Sequence, residues 1–227
     1  MKHLFQPDPE ELCEHYPNRA ERAADFWVHA IGIVLAVVGG SVLVILALMN
    51  GGLSLAVSAA IYSVCLLAML IASNIYNLRR PCPERRLLRR LDEAAIFLLI
   101  AGSYTPFTTQ RFDGDAAGWM TGLVWLVAFA GVAGKLFAPR LPEWLWCLVY
   151  IGFGWLAVLM LKPLAAGISA IALALLAIGG LLYTLGVPLF LWQRLPFRRA
   201  IWHGFVVAGA AAHYGAVMLG VVLVGAQ

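Results

Sequence analysis

In SNIYNLRRPCPERRLLRRLDEAAIF, residues 73–97, one apolar run ends, six arginines follow, and a second apolar run opens on an acidic pair. Arg79, Arg80, Arg85, Arg86, Arg89 and Arg90 cannot sit in hydrocarbon, and a dense cationic loop between two spans is held on the cytoplasmic side of a membrane. Ser73, Asn77, Asp92 and Glu93 flank this loop, so the pattern places them at the cytoplasmic ends of their helices.

Outward from the loop the chain is mostly oil. Of 227 residues, 62% are hydrophobic and 12% charged, and mean hydropathy is +0.85, outside the range of soluble globular domains. The expectation is an all-α integral membrane protein. Seven runs reach the length a span requires: 26–49, 53–76, 93–110, 116–137, 143–161, 166–191 and 200–224. Pro106 is expected to end or kink the third unless neighbours satisfy the freed carbonyl. Residues 1–25 read as a polar cytoplasmic segment without a cleavable leader, and 26–227 as the transmembrane domain.

The basic residues test this seven-helix bundle. With the N-terminus cytoplasmic and the C-terminus on the opposite face, fourteen of the 16 Lys and Arg fall on the cytoplasmic side, leaving Arg111 and Lys162 on the other. A formal charge of +4 then records topology and contact with anionic headgroups. No nucleic-acid partner is expected, since no basic face is interleaved with exposed aromatics. The partners expected are membrane lipids, in a bacterial inner (plasma) membrane. Small-residue faces at Gly39–Gly40, Gly131 with Gly134 and Gly179–Gly180 serve close helix packing, within one chain or in a homo-oligomer.

Ionisable groups at membrane depth are candidates for function. His29 lies near the start of span one, Ser73 and Asn77 end span two, Asp92 and Glu93 open span three, and Arg199 and His203 open span seven. Ser73 and Asn77 are i and i+4, as are Arg199 and His203, so each pair shares a helix face. Each also has a structural reading: Asp92 as a helix N-cap, Glu93 as the partner of a loop arginine, Arg199 as topology signal, and His213 as an intrabundle hydrogen-bonding group.

The arrangement resembles the hemolysin III proteins, the bacterial branch of the progestin and adipoQ receptor superfamily. The resemblance runs from about residue 25 to 224, on LRRLDEAAIFLLIAGSYTPF (88–107), GWLAVLMLKPL (154–164), GGLLYTLGVPLFLW (179–192) and AIWHGFVVAGAAAH (200–213). It implies a seven-helix bundle and a zinc site of three histidines, with a serine and an aspartate beside the zinc-bound water. Ser73, Asp92 and His203 match. The other two ligand positions are Asn77 and Arg199, and the histidine that commonly follows the aspartate is Glu93. Arginine has no lone pair to donate and repels a dication.

Three function classes follow. The first is a lipid-interacting protein of membrane homeostasis with a metal-free, non-catalytic pocket of His29, Asn77, Glu93, Arg199 and His213, in which Arg199 replaces the metal and pairs with Asp92. The second is a zinc-dependent lipid amidase or esterase, using Ser73 and Asp92 with His203 in a rebuilt site that Glu93 or Asp92 and His29 complete. The third, a pore or transporter, lacks an inverted repeat or paired broken helices in its support.

Overall fold

A computed structural model describes residues 12–112, 114–137 and 141–224, the side chains at 160 and 163 excepted. Among the described residues it is helical throughout, without strands. In chain order the helices are α1 (Arg19–Leu78), α2 (Arg85–Gln110), α3 (Gly114–Phe137), α4 (Glu143–Gly154), a 3-10 stretch (Trp155–Met160), α5 (Leu161–Gly167), α6 (Ala170–Leu191) and α7 (Arg198–Val217), which ends in a π turn at Met218–Val222.

The 60 residues of α1 are two antiparallel arms folded at Gly52, whose φ of 68° lies in the left-handed region that glycine enters without penalty. A Cβ placed on Gly40 would stand 3.0 Å from Ser63, and one on Gly32 would stand 3.5 Å from Leu70, so small residues set the arms close together. Asn50 donates to Val222 O at 3.2 Å and ties the bend to the end of α7. Among the described residues four helices, α1, α3, α6 and α7 with its π turn, are long and apolar enough to cross a membrane.

Helix C-termini expose carbonyls that need donors, and the basic residues supply them. Arg22 reaches Leu78 O at 2.9 Å, Arg90 reaches Leu136 O at 2.8 Å, and Arg198 reaches Phe190 O at 3.0 Å. The ends of α1, α3 and α6 are thereby gathered at the end of the bundle that carries the arginine loop. At the other end Arg111 donates to Gly220 O at 2.9 Å and Val221 O at 2.8 Å.

Three local expectations change. The arginine loop is partly helical, because α2 begins at Arg85 with Glu84 as its N-cap residue, which leaves Asp92 two turns inside the helix rather than capping it. Pro106 is accommodated, and α2 continues to Gln110. The break expected between the runs 143–161 and 166–191 falls instead just before α6, where the Ser169 side chain accepts from Ala172 N at 3.2 Å, and the chain stays helical from α4 through the 3-10 stretch to the end of α5.

The apolar interior forms two clusters. One joins α1, α2, α6 and α7 around Leu43, Leu55, Tyr62 and Val217. The other joins α2, α3 and α4 around Phe97, Val124 and Phe153. Between them lies a cavity of about 890 Å³.

Candidate functional site: a buried hydrogen-bond relay at the head of the cavity

The site is built by α1 and α7, with α2 alongside. Asn18 caps α1, accepting from Glu21 N at 2.9 Å, and Glu21 accepts from the Asn18 side-chain Nδ2 at 3.2 Å; the pair has the sequence pattern of a capping box and starts the helix at Arg19. Helix is therefore already established at Asp25, which shares a face with His29 one turn later. Asp25 is 0% and His29 1% exposed. The opposite arm of α1 brings Ser73 and Asn77. Helix α7 opens directly after Phe197, whose φ of 55° is costly for a residue with a Cβ, and presents Arg199 and His203 one turn apart.

The hydrogen bonds select the tautomer that each imidazole takes in its neutral form. His203 Nδ1 lies 2.6 Å from Asp25 Oδ1, so this nitrogen carries the proton and donates to the carboxylate, leaving a lone pair on Nε2. That Nε2 lies 3.3 Å from Ser73 Oγ. His29 Nδ1 stands 2.9 Å from the backbone carbonyl of Asp25, an acceptor only, so its lone pair is also on Nε2, and that atom too is 3.3 Å from Ser73 Oγ. Asn77 Nδ2 donates to Ser73 O at 3.0 Å and Ser73 Oγ at 3.3 Å. The serine hydroxyl thus accepts from Asn77 and has its proton available to an imidazole, and Asp92 is a further hydrogen-bond partner. Tyr16 donates to the second oxygen of Asp25; burial and the neighbouring carboxylate push the phenol well above its ordinary range.

Arg199 takes a partner other than the one expected. Its Nη1 donates to Asn77 Oδ1 at 2.6 Å, so its hydrogen bond goes to the amide, while Asp92 feels only its charge. Its Nε is buried and has no hydrogen-bond partner among the described residues.

Glu93 stands apart from the relay. It receives Arg89 Nε at 2.9 Å and Lys135 Nζ at 2.7 Å, and Lys135 lies 4.3 Å from the centroid of the Trp146 ring. The loop-arginine reading of Glu93 therefore holds, with Lys135 added. His213 Nε2 lies 3.3 Å from Leu176 O, the intrabundle contact expected of it, and it lines the cavity farther down.

Asp25 is the residue the sequence reading missed. It fell in a segment read as a solvated tail, although the Asn18-x-x-Glu21 box was the signal that would have carried helix, and with it an Asp25/His29 pair, up to the first apolar run.

A bundle of apolar helices around a cavity with buried ionisable groups at its head defines a polytopic membrane protein with an internal site. Comparison with known proteins gives the family. The Haemolysin-III related model matches residues 20–214, and the chain belongs to that family. It is 33% identical over 198 residues to the Hemolysin-3 homolog of Bacillus subtilis (strain 168), covering 87% of this chain and 93% of the relative. It is 35% identical over 199 residues to Hemolysin-3 of Bacillus cereus, covering 87% and 90%. It is also 30% identical over 207 residues to the Homo sapiens monocyte to macrophage differentiation factor, covering 88% and 84%.

The zinc that the resemblance implies does not fit the matching positions here. Two of the three, Asn77 and Arg199, are spent on each other through the 2.6 Å bond, and a guanidinium offers no lone pair. Asp25, His29 and His203 do form a group whose ligand-type atoms lie within 4.8 Å of one another. Yet the 2.6 Å between Asp25 Oδ1 and His203 Nδ1 is a hydrogen-bond length, whereas two ligands about 2.1 Å from one tetrahedral ion stand about 3.4 Å apart.

Proposed function

We propose that this protein binds a membrane lipid in its internal cavity, polar end against Asn77 and Arg199, without the family's metal chemistry, and that it influences membrane properties through that lipid. The observation that carries this reading is the cavity's shape. Its lining on α2 runs from Arg89 to Thr108, about 28 Å at 1.5 Å per residue, and about 890 Å³ is ample for a long ligand. Leu99, Phe107, Leu173 and Val206 line its body, while Ser73 and Arg199 line its head. A long, mostly apolar wall with its charged groups at one end is the shape of an acyl chain with a headgroup.

The chain crosses the membrane seven times in this reading: the two arms of α1, then α2, α3, α4 through α5, α6 and α7. The N-terminus and the arginine loop are cytoplasmic in a bacterial inner membrane. The positive-inside count and the three arginine-capped helix ends at the loop side support this. A C-terminal alkaline phosphatase fusion is active in the periplasm if the seven-crossing topology holds and inactive if it does not.

The lipid reading is tested by native mass spectrometry of the detergent-purified protein. One lipid per chain is expected, released when Ala177→Trp fills the cavity. A lipid-free spectrum, or one unchanged by Ala177→Trp, contradicts it. A second reading, a zinc-dependent lipid hydrolase, draws on the Asp25, His29 and His203 group; zinc at one per chain would favour it.

A further inference from the structure

We infer that Ser73, His203 and Asp25 form a metal-free acyl-transfer triad, and that its substrate is a carboxylic ester carrying a long acyl chain. The inference rests on the reading that the cavity takes a lipid, and it replaces the expectation of a non-catalytic pocket. Its basis is the misfit at the family's metal positions together with what stands there instead.

The contacts have the order of roles that nucleophilic catalysis by serine requires: hydroxyl, imidazole Nε2, imidazole Nδ1–H, buried carboxylate. Ser73 Oγ and His203 Nε2 are 3.3 Å apart, and His203 Nδ1 and Asp25 Oδ1 are 2.6 Å apart. The first distance is at the long end of the range expected before substrate binds. Asp25 is wholly buried behind the histidine, whereas Ser73 and His203 line the cavity. His29 Nε2 reaches the same hydroxyl, but His203 is the imidazole whose ring donates to the carboxylate at hydrogen-bond distance, His29 Nδ1 standing 3.6 Å from it, so His203 is the one oriented to act as base. Asn77 Nδ2 donates to Ser73 Oγ and so leaves the hydroxyl proton to the acceptors around it, the two imidazole Nε2 atoms and the Asp92 carboxyl.

The two residues that replace metal ligands have a use in this arrangement. Arg199 lines the cavity head with a fixed positive charge, held by Asn77 and retaining one N–H that makes no hydrogen bond among the described residues. A fixed cation at the cavity head favours the negative charge that develops on the oxygen of a carbonyl attacked there, as an oxyanion site does.

In the reaction, Ser73 Oγ attacks the ester carbonyl carbon as its proton passes to His203 Nε2. The C–O bond to the alcohol breaks, and the departing oxygen takes that proton. Water then attacks the acyl-serine, giving a proton to His203, and the proton returns to Ser73 Oγ as the carboxylic acid leaves. Asp25 is a positioning residue: it holds the His203 tautomer and stabilises the imidazolium.

The test uses the full chain in detergent with a long-chain alkyl fluorophosphonate, read by peptide mass mapping, alongside hydrolysis of p-nitrophenyl palmitate. A covalent adduct on Ser73 is expected, absent in Ser73→Ala and formed at least about 100-fold more slowly in His203→Gln. Hydrolysis is expected to persist in a zinc chelator, and Asp25→Asn to lower kcat with KM unchanged. Ser73→Ala should unfold in detergent close to the wild-type temperature, which shows that the variant is folded. A wild-type protein that holds lipid yet gives no Ser73 adduct overturns the triad and leaves the lipid reading standing; a protein with neither lipid nor adduct overturns both. Loss of hydrolysis in chelator, or an adduct rate indifferent to His203→Gln, also overturns the triad.

Discussion

Two polar clusters flank the head of the cavity, and they are built on opposite plans. Around Glu93 every charge has its opposite: Arg89 and Lys135 on the carboxylate, Arg89 reaching toward Glu143 at 3.7 Å, Trp146 under the ammonium. Around Ser73 the inventory does not balance. Two imidazole lone pairs and the Asp92 carboxyl share one hydroxyl proton, while Arg199 keeps an unused N–H. A closed ion-pair network has no proton to move and holds helices together. A cluster with more acceptors than protons is poised for chemistry and contributes little to stability for its size.

If the contrast is sound, the largest stability losses belong to the Glu93 side. Glu93→Gln leaves Lys135, 7% exposed, without its carboxylate and is expected to cost about 3 kcal/mol, seen as a large fall in the thermal unfolding temperature in detergent. Next is Gly131→Val. A Cβ at Gly131 would stand 2.4 Å from the Phe97 ring, so α2 and α3 must separate, at about 2 kcal/mol by the same measurement. Gly52→Ala forces a side chain into the left-handed bend of α1 with open space around it, and about 1 kcal/mol is expected. The smallest loss belongs to the other cluster: Ser73→Ala removes a hydroxyl with more acceptors than it can serve and should change stability by less than about 1 kcal/mol. A Ser73→Ala loss as large as that of Glu93→Gln would erase the contrast.

The sequence disclosed these two clusters unequally, for physical reasons. The helical membrane character follows from the six arginines set between apolar runs, because hydrocarbon excludes charge whatever the tertiary detail. The facing of Ser73 with Asn77, and of Arg199 with His203, follows from helical spacing alone. The partner of Arg199 does not: choosing between Asp92 and Asn77 depends on the separation and rotation of three helices. Asp25 was lost differently, since an acidic residue in a polar stretch reads as solvated until the capping box at Asn18 is seen to carry the helix past it. Its burial becomes intelligible only with Tyr16 and His203 supplying donors from elsewhere in the chain.

The central claim is that the Arg199–Asn77 bond has displaced the family's metal. The most direct measurement is metal content by elemental mass spectrometry, on the wild-type protein and on the double variant Asn77→His with Arg199→His, which restores a histidine at each altered position beside His203. The account predicts no stoichiometric zinc in the wild type and about one per chain in the double variant. About one zinc per wild-type chain, lost in His203→Ala, would contradict it.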